Sequence, residues 1–135
     1  MTPTECKNFE QLVSSNFAHI FTVDQKNALT LFLGFLNSNK VNCLYILQGF
    51  AGTGKSSLVA AIVNSLIESG FKTRLLAPTG RAAKVFSNFA KKPAYTIHKQ
   101  IYFSGNELSN RMPTLGKNLF KNTFFFVDEV SMIGV

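Results

Sequence analysis

The chain has 135 residues, room for one domain at most or for part of one. Hydrophobic residues make up 46% and charged residues 16%, a balance that supports a buried core and argues against disorder. The net charge of +7 favours an anionic partner such as nucleic acid, nucleotide or acidic membrane, while no apolar run approaches the roughly 18 residues that span a bilayer.

The basic residues are scattered, and Lys91-Lys92, the only adjacent pair, reads as a solvated helix end. The 14 Phe with no Trp read as core aromatics rather than as a base-stacking platform. Cys6 and Cys43 match no metal or redox spacing and are expected to be reduced structural thiols in a cytoplasmic protein. The N-terminus has no apolar core with a cleavage site, so no secretion is expected.

In chain order, Phe9, Leu12, Val13, Phe17 and Ile20 lie near helical spacing and predict a helical lead-in over residues 1–21. Thr22-Val23-Asp24-Gln25 has the form of a capping box and opens a helix carrying Ala28, Leu29, Phe32, Leu33 and Leu36. Asn37-Ser38-Asn39-Lys40 ends it. Leu44-Tyr45-Ile46-Leu47 is a short apolar run that predicts a strand buried on both faces of a parallel sheet. After a glycine-rich loop, a helix is expected from Lys55 to Ser69, with Gly70 past its end. A strand over Thr73–Ala77, a helix over Gly80–Ala90 closed by Pro93, and a strand over Phe124–Val127 complete an α/β alternation. Residues 104–122 read as a surface loop or insertion.

The loop Gly49-Phe50-Ala51-Gly52-Thr53-Gly54-Lys55-Ser56 matches the phosphate-binding pattern G-x-x-x-x-G-K-[ST] at every fixed position. Glycines let backbone N–H groups converge on phosphate oxygens without Cβ clashes, and the loop opens a helix whose free amides favour anions. The expected nucleotide residues are Gly49, Ala51, Gly52, Thr53, Gly54, Lys55, Ser56 and Ser57. Lys55 is suited to the β- and γ-phosphates of ATP, and the Ser56 hydroxyl to Mg²⁺.

Phe124-Phe125-Phe126-Val127-Asp128-Glu129 sets two carboxylates at the end of an apolar strand, where ligands of open α/β sheets bind. Asp128 is the candidate second Mg²⁺ ligand, and Glu129, with Lys55, the candidate catalytic pair, Glu129 orienting or deprotonating the attacking water. A base next to the metal ligand points to water as the phosphoryl acceptor.

Ala77-Pro78-Thr79-Gly80-Arg81-Ala82-Ala83-Lys84 follows the second expected strand, Thr96-Ile97-His98-Lys99 comes soon after, and Val127-Asp128-Glu129-Val130-Ser131-Met132-Ile133 closes the series. With the phosphate loop, these four blocks in this order resemble the first motor domain of superfamily one DNA helicases of the RecD-like group, from about Phe21 onward. The resemblance implies a P-loop NTPase (RecA-like) α/β fold, a parallel sheet with flanking helices, incomplete at the C-terminus. It implies single-stranded DNA as partner, met by Pro78, Thr79, Gly80, Arg81, Thr96, His98 and Lys99, and 5′-to-3′ translocation with unwinding in the whole protein. Thr79 and Thr96 also suit helix N-caps, and His98 a plain helix histidine. Gln25 resembles the family's adenine-reading glutamine, although its amide equally suits the capping box with Thr22.

Members of this family use a second motor domain with arginines for the γ-phosphate, and a strand between the phosphate-loop strand and the Asp-Glu strand. Neither is expected within residues 1–135, so the sheet is expected to be open near Ile46 and Phe125 and the isolated chain inactive. A nucleotide-dependent DNA-binding or regulatory ATPase without unwinding uses the same motifs and stands as the alternative.

Overall fold

The computed structural model describes residues 2–38, 40–49, 54–103, 114–115 and 121–128. The chain forms two compact units, Met1–Ser69 and Gly70–Val135.

The first unit is helical. Helix α1 (Pro3–Asn16) starts on a capping box in which Thr2 and Glu5 exchange side-chain and backbone hydrogen bonds, with Pro3 in the first turn where its missing N–H costs nothing. It ends earlier than the apolar spacing predicted. Phe17 leaves the helix and stacks on Phe21 with ring centroids 4.5 Å apart, and Ile20, expected in the apolar face, is 94% exposed. The reason lies downstream: Thr22 must be extended to cap the next helix, so the chain has to turn before it.

Helix α2 (Val23–Leu36) begins on the expected capping box. Helix α3 (Lys55–Glu68) stops at Ser69, where Gly70 takes a left-handed φ of 87°. It buries Leu58, Ala61, Ile62, Val63, Ser65 and Leu66, and packs against α1. Ser65 is fully buried, yet its hydroxyl donates to Ala61 O at 2.7 Å and accepts from Asn16 Nδ2 at 3.1 Å, so no polar atom is orphaned there.

Residues 44–47 differ from expectation. They form no ladder among the described residues, and they are half-buried on one face only: Tyr45 and Leu47 turn inward, while Leu44 and Ile46 are 80% and 69% exposed. Tyr45 is anchored on α2, its ring against Phe32 and Phe35 and its hydroxyl donating to Ala28 O at 2.8 Å. Burial raises the Tyr45 pKa, which keeps the hydroxyl a donor. An apolar run states that a segment prefers company; whether it becomes a strand depends on a partner that supplies the ladder.

The second unit carries the sheet. Strand β1 (Lys72–Ala77) leads to α4 (Gly80–Ala90), then β2 (Ala94–Thr96), α5 (Ile97–Ile101) and β5 (Thr123–Val127). Between α5 and β5, β3 (Tyr102–Phe103) and β4 (Thr114–Leu115) pair antiparallel, so the expected loop over 104–122 contains a short ladder at its base. The parallel order is β2-β1-β5, with Ala77 opposite Thr96 and Leu76 opposite Val127. Strand β5 thus stands at one end of the sheet, as expected near Phe125, and its outer residues Phe125 and Val127 are 40% and 38% exposed. Neither β2 nor α5 was expected from periodicity, because three and five residues are too few for the pattern to repeat.

Phe9, Phe17, Phe32 and Phe86 are buried, as the reading of phenylalanine as core expects, whereas Phe71, Phe89 and Phe125 are exposed. No described helix is long and apolar enough to cross a membrane.

Leu66, completely buried in α3, is expected to carry a large share of stability. Leu66→Ala should cost about 2–5 kcal/mol in urea unfolding, a value set by how far its neighbours collapse into the cavity.

Candidate functional site

The candidate nucleotide residues of the first unit gather at the start of α3. Gly49 is exposed. Ala51, Gly52 and Thr53 lie outside the described residues. Gly54 is the N-cap of α3 in the left-handed region, with φ 79° and ψ 18°, a conformation open to glycine at no steric cost. Lys55 is half-buried in the first turn, Ser56 is exposed and Ser57 half-buried.

What sets this helix start apart is its cap. In α1, α2 and α4 a threonine hydroxyl (Thr2, Thr22 and Thr79) accepts a first-turn N–H. Helix α3 has no side-chain cap hydrogen bond. Among the described residues no side chain caps its first N–H groups, which have the positive end of the helix dipole behind them, and an anion is the partner such a terminus favours.

Gln25 reaches the same place. It is 8% exposed, and its side chain completes the capping box: Oε1 accepts the Thr22 N–H at 2.9 Å, while the Gln25 N–H donates to Thr22 Oγ1 at 3.2 Å. Its Nε2 donates to the Gly54 carbonyl at 3.3 Å. A Cβ built on Gly54 would collide with Gln25 Nε2. The contact joins residues 29 apart, and no spacing rule announces it.

In the second unit the parallel register does the gathering. Strands β1, β2 and β5 all end on one edge: Pro78 follows Ala77, Thr96 is paired to Ala77, and the Asp128 N–H donates to Leu76 O at 3.0 Å. The turns holding Pro78–Arg81, Thr96–Lys99 and Asp128 thus lie at the carboxyl ends of adjacent strands. Glu129 lies outside the described residues.

Thr79 caps α4, its Oγ1 accepting from Ala82 N at 3.1 Å, and Thr96 caps α5 by accepting from Lys99 N at 3.2 Å. The capping role of both threonines is therefore realised, and each hydroxyl keeps its own proton to donate. Arg81, His98 and Lys99 are exposed, and Gly80 has no atom within 4 Å of where a Cβ would stand. Sequence reasoning missed the Arg74 cluster beside these turns: its guanidinium lies 3.8 Å over the Tyr95 ring, and Nε donates to Gln100 Oε1 at 2.9 Å. It fastens α5 to β1 and β2.

An uncapped, glycine-led helix start and a parallel sheet with polar turns at its carboxyl edge define a P-loop NTPase. The AAA domain family matches residues 36–135, and the chain belongs to it, in the RecD-like group of superfamily one DNA helicases. It is similar to the ATP-dependent DNA helicase dda of Enterobacteria phage T4, 32% identical over 117 residues that cover 82% of this chain and 26% of the relative. It is also similar to the ATP-dependent RecD2 DNA helicase of Deinococcus radiodurans, 32% identical over 92 residues covering 67% of this chain and 12% of the relative. The chain thus spans about a quarter of the first relative's length and less of the second.

Two glycines with opposite surroundings test the helix start. Gly54→Ala forces a Cβ into the left-handed region against Gln25 and should lower stability by about 1–2 kcal/mol. Gly34→Ala, inside α2 with nothing within 4 Å, should raise it by about 0.5–1 kcal/mol in the same denaturation experiment.

Proposed function

We propose that the whole protein couples ATP hydrolysis to 5′-to-3′ movement along single-stranded DNA and to duplex unwinding, with this chain supplying the nucleotide cradle and part of the DNA path. The observation that carries the nucleotide part is the start of α3: a left-handed glycine, no side-chain cap, and Lys55-Ser56 in the first turn. The names of the two relatives, both ATP-dependent DNA helicases, support the rest.

On this reading the α3 amides hold the phosphate oxygens, and the Lys55 ammonium neutralises charge on the β- and γ-phosphates. A serine hydroxyl and one carboxylate suit Mg²⁺, which keeps several waters and takes its remaining oxygens from substrate phosphates. Ser56 is exposed and Asp128 half-buried. When bound, the ion screens the charge that develops on the phosphates. Glu129 orients the attacking water and accepts its proton. The turns at Pro78–Arg81 and Thr96–Lys99 hold the DNA backbone through hydroxyl and amide donors and through the charges of Arg81 and Lys99, a sequence-independent grip that suits a translocating strand.

In the intact protein, Lys55→Ala should abolish productive ATP binding. Glu129→Gln should retain Mg-ATP binding while kcat falls by about 10²–10⁴. Normal hydrolysis in both variants overturns the assignment, and single-strand-stimulated hydrolysis without strand separation on 5′-tailed duplexes turns it into a DNA-dependent ATPase. For the DNA path, the double variant Arg81→Ala, Lys99→Ala should flatten the slope of log K against log salt by about 0.7 for each phosphate that is no longer neutralised. An unchanged slope in a filter-binding titration removes these residues from the path.

A further inference from the structure

Helix α5 presents two exposed residues of the candidate DNA path, His98 and Lys99. It is five residues long and buries none of them. Isolated helices need about 12–15 residues to be even marginally stable in water, so one this short owes its place to tertiary ties.

One such tie closes its start, where Thr96 Oγ1 accepts the Lys99 N–H at 3.2 Å. Another comes from the sheet. Arg74 lies within β1; its Nε donates to Gln100 Oε1 at 2.9 Å, and its guanidinium lies 3.8 Å over the ring of Tyr95 in β2. All three residues are half-buried. The contacts use different parts of one group, since the ring meets the flat face of the guanidinium and the amide meets its edge. Stacking fixes the plane, and the plane fixes where the Nε–H points. Tyr95 immediately precedes the Thr96–Lys99 turn and Gln100 immediately follows it, so a single side chain holds both ends of that turn.

On the DNA-path reading given above, which this inference rests on, we propose that Arg74 is a positioning residue for the Thr96–Lys99 turn. It clamps the turn between Tyr95 and Gln100 and so sets affinity for the single strand through His98 and Lys99, without neutralising a phosphate itself.

The salt dependence of binding separates positioning from contact, because only a lost phosphate contact changes the slope of log K against log salt. Arg74→Met keeps an unbranched apolar stem and loses the guanidinium. Arg74→Lys keeps the charge but not the planar fork. Gln100→Leu removes the acceptor on α5 and leaves Arg74 and every charge in place. Binding of the intact protein to a fluorescein-labelled oligo-dT strand is followed by anisotropy over a range of salt, with the Kd for Mg-ATP measured beside it. All three variants should weaken DNA binding by roughly two- to tenfold, the worth of one hydrogen bond, at every salt concentration. The slope and the Mg-ATP Kd should stay at the parent values, and Arg74→Met with Gln100→Leu should be no weaker than the worse single variant. A slope flattened by about 0.7 in Arg74→Met, with Gln100→Leu silent, makes Arg74 a phosphate contact and overturns the proposal. Loss of Mg-ATP binding in step with DNA binding also overturns it, because the damage is then general. Lys99→Ala tells the two readings apart. If it flattens the slope while the Arg74 and Gln100 variants bind as the parent does, the positioning role alone fails; if it leaves the slope unchanged, the turn is not on the DNA path and both fail.

Discussion

The start of α3 is the constraint on which the rest of the first unit turns. A helix N-terminus exposes amides that have no partner within the helix, and proteins ordinarily satisfy some of them with a Ser, Thr, Asp or Asn hydroxyl or carboxylate. Four described helices do so with threonine: Thr2, Thr22, Thr79 and Thr96. Helix α3 instead begins on Gly54 at φ 79°, a residue with nothing to offer its own amides. This leaves a positive, donor-rich terminus beside the cationic Lys55, and the apolar side chains of the same helix, from Leu58 to Leu66, hold it rigidly in a core. Binding capacity and fold stability are thus divided along one helix: its first turn is left polar and its later turns are buried.

The second unit solves a different problem with the same economy of means. Parallel pairing makes every strand run in one direction, so every strand-to-helix turn falls on one edge. Strand β1 sits between β2 and β5, and its register brings residues from three distant stretches into line: Ala77 with Thr96, and Leu76 with Val127. The turns that follow need extended N-caps and small residues for helix geometry alone, and Thr79, Gly80 and Thr96 meet that need. Capping and DNA contact are therefore not rival roles at these positions. A hydroxyl that accepts an amide hydrogen still carries a proton for a phosphate.

Membership of the AAA domain family covers residues 36–135, and the similarity to two DNA helicases covers 82% and 67% of the chain. Those relatives are several times longer than this chain. On the function proposed above, these residues would meet phosphate on the nucleotide side at α3 and on the nucleic-acid side at the sheet edge. Both rely on the same physical devices: glycine-led or threonine-led helix starts, exposed basic side chains, and backbone amides aimed outward.

Sequence alone determined what short-range chemistry decides. Thr22 and Gln25 stand three apart, so their capping box was legible, as were Gly54-Lys55-Ser56, the span of α4 and the carboxyl ends of β1 and β5, whose starts lie one residue earlier than expected. Each depends on propensity, capping or an apolar run within a few residues. Tertiary structure decided everything that needs a second segment. Leu44–Leu47 is apolar enough for a strand but has no ladder among the described residues, and β2, three residues long, exists because β1 pairs with it. Likewise, Phe17 stacks on Phe21 where periodicity continued the helix. The tie from Gln25 to Gly54 joins positions 29 apart and follows from the packing of α2 beside α3's first turn, which no local pattern encodes. A hydrogen bond to a distant carbonyl depends on where the fold carries that carbonyl, and the residue type states only that it is able to make one.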